Sequence, residues 1–584
     1  MFNKTFFISV TYNRIINELP NYVFTAIKKL APLYLISTIF EIMGLMMIFP
    51  VIKVVIEPSV IQENKYLNFL YTFFHFTDKM SFVLFLFSSI TVVFILKNLI
   101  LFLISKKQID ISFKLATKLA FDKYSTYLNK PYSFYNENNS AVLLRNFSQL
   151  PFELVSYLII PFVAIINEIF VLLIIISGIT FYNPLLFLSL IIFTAPFLMI
   201  YNAVYKKKLK EISDKRDSES SNLNKTGLQS MESFREIVLF GKKNYFKPIF
   251  HQKLKSFGDT NGEMYFLNTF SPKIIEVVAI MGIFSIFIAG YFFKKDLAML
   301  AQFLIVFAIA AYRVIPSLNK IILCSNYIKS SSYIFNYFHK SEGEEDLGKT
   351  QSSGSPIVFN STLELKNLSF KYPSKDHKVL NNVNLEIQKG TTIGIIGSSG
   401  GGKTTLLNVL LRLYEETEGG IYVDGKVIDK SNLEQWYQLV SYVPQNVTML
   451  DGSVLENIAF GIDKESVNYE LLKKVIQQAQ LDDFINDLSE GIHTQIGEKG
   501  VKISGGQRQR IGIARALYHG GKILIFDEAT SSLDTETERE LTESINNISH
   551  NEYTIIIVAH RMQTLIYCDK IYALKNGELS LNKT

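Results

Sequence analysis

The chain has 584 residues, more than one compact domain holds. It is 48% hydrophobic and only 19% charged, with a mean hydropathy of +0.20, which sets it apart from ordinary soluble proteins. The net charge of +6 is modest, and Lys206, Lys207, Lys208 and Lys210 sit directly after an apolar block, so they read as a membrane-flanking cluster and not as a nucleic-acid surface. The two cysteines, Cys324 and Cys568, lie in different parts of the chain and form no CxxC pattern, so they indicate neither a disulfide framework nor a zinc site.

The N-terminal run, Met1–Ile15, is too short in apolar residues for a signal peptide and has no small-residue cleavage site. It is expected to stay attached as an amphipathic helix on the cytoplasmic face. Six stretches then reach the ~20 apolar residues needed to cross a bilayer. They are Pro32–Val55, Val83–Ile104, Ser156–Phe181, Leu185–Tyr205, Ile274–Phe293 and Leu297–Cys324. The third and fourth are joined by Tyr182-Asn183-Pro184 and the fifth and sixth by Lys294-Lys295-Asp296. The connections Ser105–Val155 and Lys206–Lys273 are long, basic and helical in spacing, which places them, and with them both termini, in the cytoplasm.

A polar Gly/Ser-containing segment follows, Lys340–Pro356. From Ile357 onward, short β-type runs alternate with helical ones. The expected division is a membrane α-helical domain over 1–340, a linker over 341–356, and an α/β P-loop nucleotidase domain over 357–584.

The strand pattern Thr391–Ile396 runs into Gly397, Ser398, Ser399, Gly400, Gly401, Gly402, Lys403 and Thr404, then into a helix beginning at Thr405. This is G-x-x-x-x-G-K-[ST] in its strand–loop–helix setting. Its glycines turn backbone N–H groups inward around phosphates, and a helix N-terminus adds its dipole. Lys403 is placed to reach the β- and γ-phosphates of ATP and Thr404 to hold Mg²⁺. A second strand, Lys522–Phe526, ends in Asp527, suited to a further Mg²⁺ contact, and Glu528, suited to polarising an attacking water.

Between these lies Ile503-Ser504-Gly505-Gly506-Gln507-Arg508-Gln509-Arg510. It resembles the signature motif of ABC ATPases, with Ile503 where Leu is commoner. The resemblance implies that Ser504, Gly505, Gly506 and Gln507 close over ATP held by the opposite subunit. It further implies that Tyr372 stacks on adenine, Gln445 contacts Mg²⁺, His560 contacts the γ-phosphate, and Asp534, in Ser531-Ser532-Leu533-Asp534, touches the dimer partner. Gly497-Glu498-Lys499-Gly500 looks like the loop that precedes the signature in exporters. Six spans before one cassette resemble an exporter-type half-transporter, which implies pairing with a second half, most simply a second copy of itself and alternatively a different half, with coupling helices near Tyr132–Asn139 and Ser213–Asn224.

Ionisable residues inside spans mark functional sites. Lys97, Lys273, Arg313 and Lys320 are such cations, suited to an anionic headgroup, although Lys273 and Lys320 are equally placed to snorkel from helix ends into the cytoplasmic vestibule, and Glu41 and Glu168 are able to pair with the cations internally. The stretches Ala311–Ser317 and Ser233–Gly241 resemble bacterial flippases for lipid-linked oligosaccharides. That resemblance implies flipping of such a lipid across the bacterial cytoplasmic membrane. The alternatives are a lipid A-type lipid, a peptide or a drug as cargo, or, in another class, an ATP-gated channel or regulator.

Overall fold

The computed structural model describes residues 7–56, 58–182, 214–292, 297–338, 357–373, 376–398, 400–497, 500–528 and 552–582, with isolated positions between them. Two compact units result, residues 1–130 with 137–347, and residues 131–136 with 348–584.

The first unit is helical. Helix α1 (Phe7–Glu18) buries Thr11 and Ile15, one turn apart. Helix α2 (Asn21–Ile56) has 36 residues and helix α3 (Lys79–Leu128) has 50. At 1.5 Å per residue these run roughly 54 and 75 Å, well beyond the ~30 Å hydrocarbon layer. The apolar stretches at Pro32–Val55 and Val83–Ile104 are therefore segments of longer helices. Among the described residues, four helices are long and apolar enough to cross a membrane, at Asn21–Gly44, Lys79–Leu128, Leu150–Gly178 and Lys243–Gly282. The stretch expected at Leu297–Cys324 lies in helix Leu297–Ser330. The stretch at Leu185–Tyr205, the turn at Lys294–Asp296 and the linker 341–356 lie outside the described residues.

The expected coupling segments fare differently. Tyr132–Glu137 is a short helix, and its residues up to Asn136 cluster with the second unit. There the Tyr132 ring packs edge-on against Tyr414, and Asn136 donates to the Tyr414 hydroxyl at 2.8 Å. Ser213–Asn224, in contrast, falls on an uninterrupted helical stretch over 214–232. The break comes later, at the short helix Phe234–Leu239. The expectation rests on position within the long loop, and Lys, Ser and Glu are tolerated throughout a solvated helix.

The helix Leu297–Ser330 ends in a 3₁₀ turn, Ser332–Tyr337, gripped by three cations from three different helices. Arg14 of α1 donates to Ser332 O and lies 4.4 Å over the Phe335 ring. Lys123 of α3 donates to Tyr337 O at 2.9 Å. Arg145, from Ser140–Ser148, pairs with Asp217 at 2.9 Å and lies 5.8 Å from the rings of both Tyr333 and Tyr337.

The second unit is built on two sheets. Strands β1 (Thr362–Phe370), β2 (Leu380–Gln388), β4 (Glu418–Val423) and β5 (Lys426–Val427) form an antiparallel sheet in the order β2-β1-β4-β5. The larger sheet has the order β10-β9-β3-β8-β7-β6. Its members are β3 (Thr392–Gly397), β6 (Val440–Val443), β7 (Ile523–Asp527), β8 (Thr554–Val558), β9 (Lys570–Lys575) and β10 (Glu578–Leu581). All neighbours are parallel except β10 with β9. A parallel sheet is covered on both faces, so its central strands are apolar at every position. Leu524, Phe526, Ile555 and Ile557 face one core, and Ile523, Ile525, Ile556 and Val558 face the other. The strand order matters for function. It sets the carboxyl ends of β3, β8, β7 and β6 side by side, where ligands bind in open α/β sheets.

Candidate nucleotide site and membrane cations

The loop after β3 needs glycine at several positions, by close fit at Gly397 and by backbone conformation further on. A Cβ at Gly397 would stand 2.5 Å from Leu574 O, and Gly400 and Gly402 have φ of +79° and +98°. The loop opens the helix Lys403–Leu410. Lys403, with a side chain 5% exposed, turns its Nζ back to donate to Gly397 O at 2.9 Å and Ser398 O at 3.1 Å. Burial lowers its pKa, while Glu528 and Asp527 oppose that shift. Thr404 is exposed at the helix start. Thr405 is buried, its hydroxyl 3.1 Å from that of Tyr372. Tyr372 itself packs edge-on against Phe370 and Tyr414.

The next strands deliver the acids. Asp527 ends β7 and is buried, and burial raises its pKa. The Tyr442 hydroxyl of β6 donates to its Oδ2 at 3.2 Å. Tyr442 pairs in register with Ile525, so it shares a sheet face with Asp527 two residues on. Glu528 takes φ +46°, a left-handed conformation unusual outside glycine, and its N–H donates to Val558 O at 2.9 Å. That turn aims the carboxylate at two partners. His560 Nε2, one strand over, lies 2.6 Å from Oε1, and Gln445 Nε2 donates to Oε2 at 3.0 Å. Lys403 Nζ is 3.2 Å from His560 Nε2 and 3.9 Å from Glu528 Oε1. Five expected residues, Lys403, Gln445, Asp527, Glu528 and His560, thus gather around the four adjacent strand ends.

The signature residues stand apart from this group. Ser504 caps the helix Gly505–His519 in a reciprocal box, with Gln507 N donating to Ser504 Oγ at 3.2 Å and Ser504 N to Gln507 Oε1 at 2.8 Å. A Cβ on Gly505 would meet nothing within 4 Å, so the helix N-terminus is open. Among the described residues, no hydrogen bond or ion pair links Ser504–Gln507 to Lys403, Asp527, Glu528 or His560. Ser399, Glu498 and Asp534 lie outside the described residues. Two contributors escape a motif reading. One is Tyr442, whose signal is a lone exposed position in the buried strand Val440–Val443. The other is Arg515, which braces the segment after Gln445 by donating to Thr448 O at 2.9 Å and Asn457 O at 2.8 Å.

With the geometry in place, comparison with known proteins decides the family. The family described as ABC transporter matches residues 380–531, and the ABC transporter transmembrane region matches residues 33–313. The ATP-dependent lipid A-core flippase of Francisella novicida is 31% identical over 484 residues, 80% of this chain and 78% of the relative. This chain belongs to the ABC transporter family. A flippase of the same description from Photorhabdus laumondii is 28% identical over 80% of both chains, and that of Escherichia coli K12 is 31% identical over 66% of each. The solved structure of a bacterial Atm1-family ABC exporter with ATP bound superposes with a TM-score of 0.76 over 96% of this chain and 95% of that one. At 18% identity this shows the exporter fold. The transporter is therefore a multi-pass membrane protein of half-transporter type, with a nucleotide-binding cassette that couples ATP hydrolysis to transport.

The transporter's four membrane cations all have partners within the chain. Lys273 pairs with Glu276 at 3.0 Å, and Lys97 Nζ lies 4.3 Å over the Phe94 ring and against Gly44. Arg313 pairs with Glu41 of α2 and with Glu168 of the helix Ile160–Tyr182, the latter at 3.2 Å. Glu168 also holds Lys320 at 2.8 Å and accepts from Ser317 at 2.8 Å. Arg313, Ser317 and Lys320 are spaced i, i+4, i+7 and line one helical face. Among the expected pairings, the internal one through Glu41 and Glu168 is what the structure contains.

Proposed function

We propose that this transporter flips an anionic, multiply acylated lipid of the lipid A kind across the bacterial cytoplasmic membrane, with its cassette and both termini cytoplasmic. The observation that carries the reading is the likeness to lipid A-core flippases over four-fifths of the chain, membrane helices and cassette together. The lipid-linked oligosaccharide reading rests on the short stretches Ala311–Ser317 and Ser233–Gly241 and takes second place. In our reading the membrane domain spans 1–340, the linker 341–356 and the cassette 357–584.

In the proposed site, Gly397–Thr405 cradle the phosphates and Tyr372 packs on adenine. Thr404, Gln445 and Asp527 form an all-oxygen donor set that fits a hard divalent cation, with Asp527 a buried carboxylate whose charge such a cation compensates. Bound Mg²⁺ would neutralise charge developing on the phosphates. Lys403 exchanges its carbonyl partners for phosphate oxygens. Glu528, held by Gln445 and His560, orients the attacking water, and His560 faces the γ-phosphate. The signature end of the same cassette does not reach this cluster, so the open N-terminus at Ser504–Gln507, with Asp534, serves a second copy of the chain. A homodimer then makes two complete sites.

The test is Glu528→Gln in the reconstituted, full-length protein. Phosphate release should fall by at least about a hundredfold while ATP binding stays near the wild-type level, the range expected for loss of a general base. Lipid A should stimulate the wild type above a phosphatidylcholine background. Unimpaired hydrolysis in the variant would remove Glu528 from its role, and absence of lipid A stimulation would remove the substrate.

A further inference from the structure

The cation cluster in the spans carries more information than its charge. It contains two cations, Arg313 and Lys320, and two carboxylates, Glu41 and Glu168, so it is formally neutral. A neutral cluster in a low-dielectric layer has little attraction for a further anion unless one of its own carboxylates leaves. The two carboxylates are not equivalent. Glu168 is 1% exposed and held three ways, by Arg313, Lys320 and Ser317. Glu41 is 34% exposed, and Arg313 is the partner the structure gives it.

Arg313 is equally asymmetric. Its Nη2 serves both carboxylates, whereas its Nε is buried and has no hydrogen-bond partner among the described residues. A guanidinium in this state has a donor to spare for an oxyanion that presents several oxygens in a plane or tripod, as a phosphate does. The surroundings also favour movement at Glu41. Gly44, one turn further along α2, is where the Lys97 ammonium rests, 3.0 Å from the position of a Cβ. A cation therefore stands one helical turn away to receive a carboxylate that turns out of the cluster.

We propose that Glu41 is a displaceable counter-ion, which Arg313 exchanges for the anionic headgroup of the transported lipid while Glu168 keeps the cations in place. The exchange replaces one carboxylate by a phosphate of equal or greater negative charge, so Arg313 keeps a counter-ion throughout and no cation is left buried and unpaired. A lipid lacking the anion does not compete with Glu41 and leaves the cluster shut. Glu41 thus acts as a specificity residue, setting how much anion is needed. The inference rests on the anionic-lipid reading above.

The test uses the full-length protein in phosphatidylcholine bilayers carrying increasing amounts of bis-phosphorylated lipid A, with fully dephosphorylated lipid A as the control. ATPase activity in phosphatidylcholine alone reports folding. Glu41→Gln should lower the amount of phosphorylated lipid giving half-maximal stimulation about fivefold, equivalent to ~1 kcal/mol, without changing the response to the dephosphorylated lipid. Glu41→Asp should stay close to wild type. In an Arg313→Gln background, Glu41→Gln should have no further effect, since the exchange partner is gone. An unchanged or higher requirement in Glu41→Gln overturns the inference, as does a lowering that persists without Arg313. Should wild-type protein show no stimulation by phosphorylated lipid A, the substrate reading fails and the exchange falls with it. Stimulation of the wild type with an unaltered Glu41→Gln response sinks the exchange alone.

Discussion

Tyr442→Phe removes one oxygen atom at the edge of the nucleotide site, and its consequences follow from the geometry. The hydroxyl donates to Asp527 Oδ2 at 3.2 Å, and Asp527 is 9% exposed. Hydrogen bonds to a charged group contribute ~1.5–3 kcal/mol when well formed. Here the bond is long and Tyr442 is 36% exposed, so ~1 kcal/mol is the fitting value. The loss falls on the ionised carboxylate, because a phenol O–H stabilises the anion. Burial already raises the Asp527 pKa, and removing the donor pushes it further up, so the carboxylate is protonated over more of the acid range. The amount of Mg²⁺ needed for half-maximal hydrolysis should rise about fivefold. The acid limb of the pH profile should move to higher pH. Binding of Mn²⁺ with nucleotide, read by paramagnetic resonance, should weaken by the same factor, while nucleotide binding in excess chelator stays unchanged. A variant with reduced turnover but unaltered metal requirement and acid limb would refute the reasoning, since a packing defect alone produces that pattern.

Two further substitutions probe the scaffold. Gly397→Ala places a methyl 2.5 Å from the backbone oxygen of Leu574, which cannot move aside as a side chain can; a loss of ~1–3 kcal/mol and a lower midpoint of cassette unfolding in urea are expected, together with weakened ATP binding. Arg145→Ala leaves Asp217 and two tyrosines without their shared cation where the last membrane helix ends. The expected cost is about 3 kcal/mol, read as a lower midpoint of thermal inactivation in detergent, and Arg145→Lys should recover only part of it because one ammonium cannot replace the fork.

Much of this was legible in the residues. Apolar runs long enough to cross a bilayer and a strand–loop–helix around Gly397–Thr404 need only local pattern, and the structure places a helix or strand at each described one. What local pattern cannot show is which distant groups meet. Lys403, Glu528 and His560 converge because β3, β8 and β7 are neighbours, an order that the sequence separations of these strands conceal. Arg313 lies 272 positions from Glu41 and 145 from Glu168, so the residues offered these partners without deciding between internal pairing and a free cation until three helices were packed together. Tyr442 was invisible for the opposite reason, since one aromatic residue in a short strand ordinarily packs and does nothing else. The second cytoplasmic loop shows a third limit. A solvated helix and a loop share a polar composition, so the break at Phe234–Leu239 had to be seen in the backbone.

The central claim is that ATP hydrolysis at Glu528 drives an anionic lipid from one leaflet to the other. The direct measurement follows fluorescently tagged lipid A in proteoliposomes and counts the molecules that become protected from an external membrane-impermeant quencher after ATP is added outside, on the cassette side. The account predicts ATP- and Mg²⁺-dependent movement by the wild type, with none for Glu528→Gln. Movement by that variant at the wild-type rate, or hydrolysis by the wild type without any lipid changing leaflet, would contradict it.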